Sequence, residues 1–469
     1  MPPFTDPSLP SSGFPPMKSD PNIVTLNVGG HLFQSTPQTL TLAGPNSILS
    51  TFSNHPFPQS DHIPFIDRDP DLFSILLSLL RTGNLPSKAR SVDLQDLISE
   101  SHFYDLQSLL ISAIENPSQF DGFNAEKSVI LPLNGRDPPS AIATTPFGSV
   151  HVAHGSKITS FDWSLRRKYT ILTEFYTIDS LLAVSPTVAA AGATDFSGLQ
   201  IVNLETGSVE ETLNWENSTN SISTVQAIGS SPEFLFTSFE SSRRNSSSIV
   251  VFDRTGDSLR PVVEIGRGEI YGADLNSAIP ATKLEWVPGF NLLMASGSHG
   301  GPSGLVGHIR LWDVRSSNAA WELKEKEDCF SDVTASGNLS AIFKVGVNSG
   351  EVFMADLRNL RAENPWIDLG GRRGNGRKEG GGCRIQAHGN QVFCSKGGDV
   401  ELWSEVLMVG PTRVDGVDEG GRVFRRNVMG RVKDMGGCRI THMGFGGNKM
   451  VLGRKDQQAV EVWQSSSRV

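Results

Sequence analysis

From Ile23 to Val28 apolar and polar residues alternate, and the run ends at Gly29-Gly30. Alternation closed by a glycine pair predicts a strand entering a tight hairpin, because glycine supplies the positive φ such a turn needs. His31 to Ser35 then reads as the returning strand, Pro37 to Leu42 as a short helix, and Ile63-Pro64-Phe65-Ile66 as a third short strand. Asp67-Arg68-Asp69-Pro70 breaks that strand and predicts a helix start: an aspartate side chain accepts from orphan backbone N–H groups, and proline suits the first turn. From Asp71 to Arg81 the apolar residues Leu72, Ile75, Leu76, Leu79 and Leu80 fall at helical spacing, and Gly83 ends the run. Two more helical stretches fill Val92 to Ile114, broken near Ser101-His102-Phe103-Tyr104. A small α/β domain is expected over this region.

Beyond a polar stretch at 118–127 the pattern changes to short alternating runs that recur. Seven of them end on an aromatic or apolar residue beside a polar one, and the polar marks are Asp162, Asn203, Asp253, Asp313, Asp356, Ser404 and Gln464. The steps between marks are 41, 50, 60, 43, 48 and 60 residues. A strand, a turn and a second strand before each mark, at that period, predict the blades of a β-propeller, whose sheets each hide a face only by stacking on a neighbour. The marks count seven blades, with six or eight as alternatives. Blade four shows the plan, with strands at Thr282–Val287, Asn291–Gly297, His308–Asp313 and Ala320–Lys324. The last mark leaves its blade without an outer strand, and Ser128 to Leu133 is expected to supply one and clasp the ring.

Composition agrees with turns and short strands. Hydrophobic residues make up 38% of the 469, and Gly 47 plus Pro 27 is too turn-rich for a helical bundle. The charge is uneven: −7 over residues 1–127, −9 over 128–357 and +7 over 358–469, for the total of −9. An acidic total argues against a whole-protein nucleic-acid binder and leaves the basic C-terminal third as a local candidate. Cys329, Cys383, Cys394 and Cys438 form no CxxC and read as reduced, buried thiols of an intracellular protein, cytoplasmic or nuclear. Residues 1–21 hold seven prolines and read as a Pro/Ser-rich tail rather than a signal peptide. The longest apolar stretch, Leu72 to Leu80, carries Ser74 and Ser78 and is too short to span a bilayer.

Two blocks of the first domain carry a resemblance. Val24-Thr25-Leu26-Asn27-Val28-Gly29-Gly30-His31-Leu32-Phe33, with Thr36 and Thr39-Leu40 after it, resembles the opening of a BTB/POZ domain of the potassium-channel tetramerisation type. Phe65-Ile66-Asp67-Arg68-Asp69-Pro70, with Phe73 and Leu79-Leu80-Arg81-Thr82-Gly83, is similar to that family's second signature, with Pro70 standing where glycine is commoner. Over 128–469 the repeats resemble the WD-repeat family, although only Leu311-Trp312-Asp313 is a good match to its mark. The expected organisation is therefore a tail to residue 21, a BTB domain at 22–117, a linker at 118–127 and the propeller at 128–469.

No constellation for catalysis, metal or cofactor emerges. Ser298-His299-Gly300-Gly301-Pro302-Ser303-Gly304 lacks the G-x-S-x-G elbow and predicts a turn between two strands. The glycine- and arginine-rich stretch Gly370 to Gly382 fits neither phosphate-loop template and predicts a flexible loop, with Arg372-Arg373 and Arg377-Lys378 as a candidate nuclear-import signal. The histidines form no HxH or HExxH pair, and the sequons at Asn217, Asn245 and Asn338 are silent without secretion. What the BTB resemblance implies is self-association and, in many relatives, docking to cullin-3 and through it to a RING subunit. The chain is then expected to be a non-catalytic adaptor that brings a client, held on the propeller, to a ubiquitin ligase. By the same resemblance Asp67, Arg68, Asp69 and Arg81 would stabilise contacts between subunits, and Phe52, Phe73, His102, Phe103 and Tyr104 would meet the cullin. The alternative is an oligomeric scaffold that clusters a signalling or transcription partner without a ligase.

Overall fold

The computed structural model describes residues 23–54, 63–116, 120–216, 221–256, 258–269, 279–301, 304–326, 328–360, 364–370, 380–406, 422–429 and 438–465. The Pro/Ser-rich tail, the Arg372-Arg373 and Arg377-Lys378 pairs and Asn217 lie outside them. The chain divides into two compact units, residues 1–110 and 111–469.

In the first unit, strands β1 (Val24–Val28) and β2 (His31–Ser35) form the expected hairpin, and β3 (Phe65–Ile66) adds to β1 in parallel. The same unit holds helices α1 (Pro37–Thr41), α2 (Ile48–Asn54), α3 (Pro70–Thr82) and α4 (Leu94–Phe103), and α5 (Gln107–Glu115) starts in it and ends in the second. The Asp69 carboxylate caps α3, accepting from the N–H groups of Asp71 at 2.8 Å and Leu72 at 3.1 Å, and Gly83 closes it at φ +71°. Pro70 occupies the first turn, so the helix starts where the sequence places it. Leu26, Val28, Leu40, Leu49, Phe73, Leu76, Leu97 and Tyr104 are buried together as the core of the unit.

Beyond α5 and a 3₁₀ turn at Gly122–Asn124, the described part of the second unit is built of β-strands. Its described residues form seven four-stranded sheets, each a run of antiparallel neighbours. The innermost strands are Ala141–Thr144, Ser180–Ala183, Ser223–Ser230, Lys283–Val287, Phe330–Ser336, Ile385–His388 and Ile440–Gly446. Each touches the next in chain order and the last touches the first, so the ring closes. Blades are numbered here in the order of these strands. Strand β4 (Ala125–Pro132) is the outer strand of blade 7, pairing with Ala459–Ser465. The clasp therefore exists, starting three residues before the expected Ser128, inside the stretch read as linker.

The recurring polar marks have a physical role. Where the third strand ends, Asp162, Asn203, Asp253, Asp313 and Asp356 turn their side-chain oxygens onto backbone N–H groups two to four residues ahead, for example Asp253 Oδ1 to Thr255 N at 2.8 Å and Asp313 Oδ1 to Arg315 N at 3.0 Å. A short carboxylate or amide at that place builds the turn to the outer strand. Ser404 and Gln464 are placed differently: Ser404 pairs with Arg425 in the sheet, and Gln464 Oε1 accepts from Ser128 of the clasp at 3.0 Å. Ser298 to Gly301 pairs antiparallel with the strand that starts at Gly304, Gly301 standing opposite Gly304.

Burial in this unit takes in titratable groups. His151 is almost wholly enclosed, its Nδ1 2.9 Å from Ser160 Oγ, and burial lowers its pKa from 6.5 to about 4. The unfolded chain therefore takes up the proton first as pH falls through 6.5, and stability present above that pH is lost on the way down to about 4. At about pH 5.5 this histidine should cost the propeller on the order of 1 kcal/mol. Melting temperatures measured between neutral and mildly acidic pH should fall less steeply for His151→Gln than for the native chain. Equal slopes would refute the assignment.

Candidate functional site

The two blocks of the BTB resemblance are one structure. β1 and β3 pair directly, the Gly29 N–H donates to Ile66 O at 2.9 Å, and a Cβ on Gly29 would stand 2.5 Å from Arg68 O. Only glycine, at φ +55°, lets the hairpin close against the Arg68 to Pro70 turn.

From that turn Arg68 reaches Glu100 on α4, Nη2 to Oε2 2.9 Å, and its guanidinium lies 4.3 Å from the centre of the Phe103 ring. Glu100 is buried; desolvation raises its pKa, and Arg68 opposes the shift. Arg68 therefore ties the β3–α3 turn to α4 within its own unit, and Asp69 is engaged as the α3 cap. Arg81, exposed, donates to the Gln34 carbonyl, and Asp67 is exposed.

The five aromatic positions separate. Phe73 and Tyr104 are fully buried, with ring centres 5.1 Å apart, and Phe33 packs edge-on to Phe73. This corrects the expectation of direct contact for those two: they shape the core beneath the surface. Phe52 is half-buried. His102 and Phe103 do face outward, Phe103 at 42% exposure, beside Arg68. The sheet adds a feature the sequence reading passed over. Leu32 and Phe65 stand opposite Asn27 in one row, on the face away from Leu26 and Val28, and are 61% and 59% exposed. Both sit at polar-phase positions of strands, so their periodicity was the available signal.

The propeller encloses a central cavity of about 390 Å³ to which all seven inner strands contribute, with Asp179, Gln226, Lys283, Asp332, Arg384 and His442 among its wall. Two polar rows stitch blades 4, 5 and 6 around it. In one, Lys283 Nζ lies 3.0 Å from Asp332 Oδ1, and Asp332 Oδ2 accepts from Ile385 N at 2.9 Å. In the other, Thr334 Oγ1 donates to Glu285 at 3.0 Å and accepts from Ala387 N at 3.1 Å. Burial raises the Glu285 pKa. The sequence does not mark these side chains, because a charge on an alternating strand reads as solvent-facing until the neighbouring blade is known.

The basic C-terminal third is partly spent on ion pairs with carboxylates of its own blades. Arg358 pairs with Asp356, Lys396 and Arg426 with Glu401, Arg422 with Glu405 at 2.6 and 2.8 Å, and Arg454 with Glu461. Among the described residues no three or more His, Cys, Asp or Glu are grouped as metal ligands, and no helix is long and apolar enough to cross a membrane. Cys329, Cys383 and Cys394 are buried free thiols, and Cys438 is half-buried.

Comparison with known proteins now decides the family. Residues 24–114 match the BTB/POZ domain, and residues 134–465 match the At2g24240-like, C-terminal beta propeller. The chain belongs to the family of BTB/POZ proteins with an At2g24240-like propeller. It is 58% identical over 462 residues to the BTB/POZ domain-containing protein At5g41330 of Arabidopsis thaliana, covering 97% of this chain and 99% of that one. It is 26% identical over 459 residues to the BTB/POZ domain-containing protein At2g24240 of the same plant, covering 94% and 97%. Among solved structures, a chain of a mitotic checkpoint complex superposes with a TM-score of 0.50 at 11% identity, covering 74% of this chain and 93% of that one, a likeness of fold alone. A BTB domain joined to a propeller is the architecture of a BTB adaptor.

Proposed function

We propose that this BTB-propeller protein is the substrate-recognition subunit of a cullin-3 RING ubiquitin ligase. The BTB unit docks the cullin through the surface around His102 and Phe103, with Phe52 at its margin. It self-associates through the sheet face of Leu32 and Phe65 together with Asp67 and Arg81. The propeller holds the client. Its contribution to ubiquitin transfer is proximity, keeping a client lysine near the charged conjugating enzyme, so no acid–base residue is required of this chain.

The observation that carries the reading is the exposed Phe103 ring with the Arg68 guanidinium laid against it. A pre-ordered aromatic beside an arginine, held from below by Glu100, is the composition of an interface anchor. The test is light scattering on the size-separated chain, alone and mixed with the cullin-3 N-terminal domain. A complex of defined stoichiometry is expected, weakened at least about tenfold by Phe103→Ala, as for the loss of one anchor. The free chain should be larger than a monomer. A folded, oligomeric chain that does not bind the cullin domain would overturn the ligase reading and favour an oligomeric scaffold.

A further inference from the structure

Blade 4 presents an unusual face to blade 3. Its third strand, Gly304–Asp313, alternates: Ile309 and Leu311 join the apolar cluster shared with blade 5, so His308, Arg310 and Trp312 point the other way. There they line a cavity of about 20 Å³ with Ser238 and Ser248 of blade 3, in the seam between the two sheets. Gly266 of blade 3 leaves room for the indole, since a Cβ there would come within 3.0 Å of Trp312 Cζ2.

The polar atoms on this wall are unequal. Arg310 Nη2 lies 3.3 Å from His308 Nδ1, and a guanidinium can only donate, so that ring nitrogen accepts and the proton sits on Nε2. His308 Nε2–H, Arg310 Nε–H and Trp312 Nε1–H are then three N–H donors. All three are buried, and none has a partner among the described residues; the buried Ser238 hydroxyl is in the same position. Leaving one such donor unmet costs on the order of 1–3 kcal/mol, so three carried by residues that line one small cavity call for an acceptor. A cavity of this size admits one water-sized sphere and no organic molecule. A water accepts at most two hydrogen bonds; a monatomic anion accepts from every side.

The charges around the cavity agree. The exposed Glu322 has its Oε1 3.4 Å from Arg310 Nη2 and 4.0 Å from His308 Nε2, and Lys324 lies 4.0 Å from the same carboxylate. His308 is held down to about 4, first by burial and then by Arg310 and Lys324, with Glu322 opposing. The cations outweigh the carboxylate at the ring.

We propose that the seam between blades 3 and 4 is a binding site for one small monovalent anion of the halide class, received by the side-chain N–H groups of His308, Arg310 and Trp312. The unpartnered Ser238 hydroxyl of blade 3 lines the same cavity, so an ion there meets donors of both blades and helps hold the ring at a seam where blade 3 offers mainly serines.

The test uses the full chain. Thermal unfolding is followed by tryptophan fluorescence in sodium chloride, sodium bromide and sodium gluconate at equal sodium. Chloride and bromide should raise the melting temperature on the order of 2–5 °C above gluconate, in a manner that saturates with halide concentration. Arg310→Gln and Trp312→Phe should each reduce that difference. Crystals grown in bromide should show an anomalous peak between His308, Arg310 and Trp312, a readout that needs no variant. A native chain indifferent to halide, with water in the seam of the bromide crystals, would overturn the proposal. A halide effect that persists undiminished in both variants, with no peak in the seam, would do the same.

Discussion

Replacing Glu461 with alanine should destabilise the propeller by roughly 3–5 kcal/mol, because it leaves a buried guanidinium uncompensated. Arg454 and Glu461 are each about 2% exposed on adjacent strands of blade 7, joined in a fork: Nε to Oε1 3.0 Å and Nη2 to Oε2 3.2 Å. Arg454 Nη1 also donates to the carbonyls of Gly398, at 3.0 Å, and Cys438, at 2.8 Å, and Lys127 of the clasp approaches Glu461 at 3.7 Å. The fork therefore sits where the ring is closed. All eight tryptophans, from Trp163 to Trp463, lie in the second unit, so tryptophan emission during denaturation reports the propeller alone. Truncating one partner should be costly, whereas the double change Arg454→Met with Glu461→Leu should recover most of the loss, since well-packed apolar side chains can replace a buried ion pair at little net cost. A loss below about 1 kcal/mol for Glu461→Ala would mean that water reaches the guanidinium.

Phe120→Ala should cost a similar amount, about 3–5 kcal/mol, from a residue that the sequence places in a linker. The ring is buried against Phe393 and Phe445, each 5.6 Å away between centres, and lies 6.1 Å from His388, which itself stacks on Phe445 at 4.8 Å. The next two residues are held as firmly. Gln391 Nε2 donates to Asp121 Oδ1 at 2.9 Å, Gly122 N donates to Gln391 Oε1 at 2.8 Å, and Ser465 Oγ meets the Asp121 backbone. A Cβ on Gly122 would stand 2.7 Å from Phe393, so Gly122→Ala should destabilise in the same direction. This segment joins blades 6 and 7 just before the clasp strand begins. If both variants unfolded at the native denaturant concentration by tryptophan emission, the segment would be a free linker after all.

The residues that were legible are those whose signal is local. Val24 to Val28 reads as a strand because its alternation matches the pleat, and Asp69-Pro70 starts a helix because the cap and the first-turn proline act within one turn of chain. The marks at Asp162, Asn203, Asp253, Asp313 and Asp356 repeat because each builds its own turn from the next few residues. The clasp was legible for a different reason, since a blade with three strands must find a fourth. Phe73 and Tyr104 show the limit: an aromatic looks the same in sequence whether it faces a partner or the core, and here both are turned inward.

Glu100, Lys283, Asp332, Glu285 and Glu461 were not legible as paired groups, and Phe120 was not legible as buried. A polar residue on an alternating strand carries the pattern of a solvent-facing side chain, and only the neighbouring blade decides whether it meets water, a carboxylate or a backbone N–H. By itself the sequence determined the two units, the family of the first, the repeat of the second and the turns between strands, all of which rest on interactions spanning a few residues or on one repeat copied along the chain. The tertiary structure alone decided which charges are buried in pairs, which aromatic closes the linker onto the propeller, and which three N–H donors of one strand face a seam without a partner. Those depend on contacts between blades remote in sequence, and ring closure, rather than any local preference, sets them.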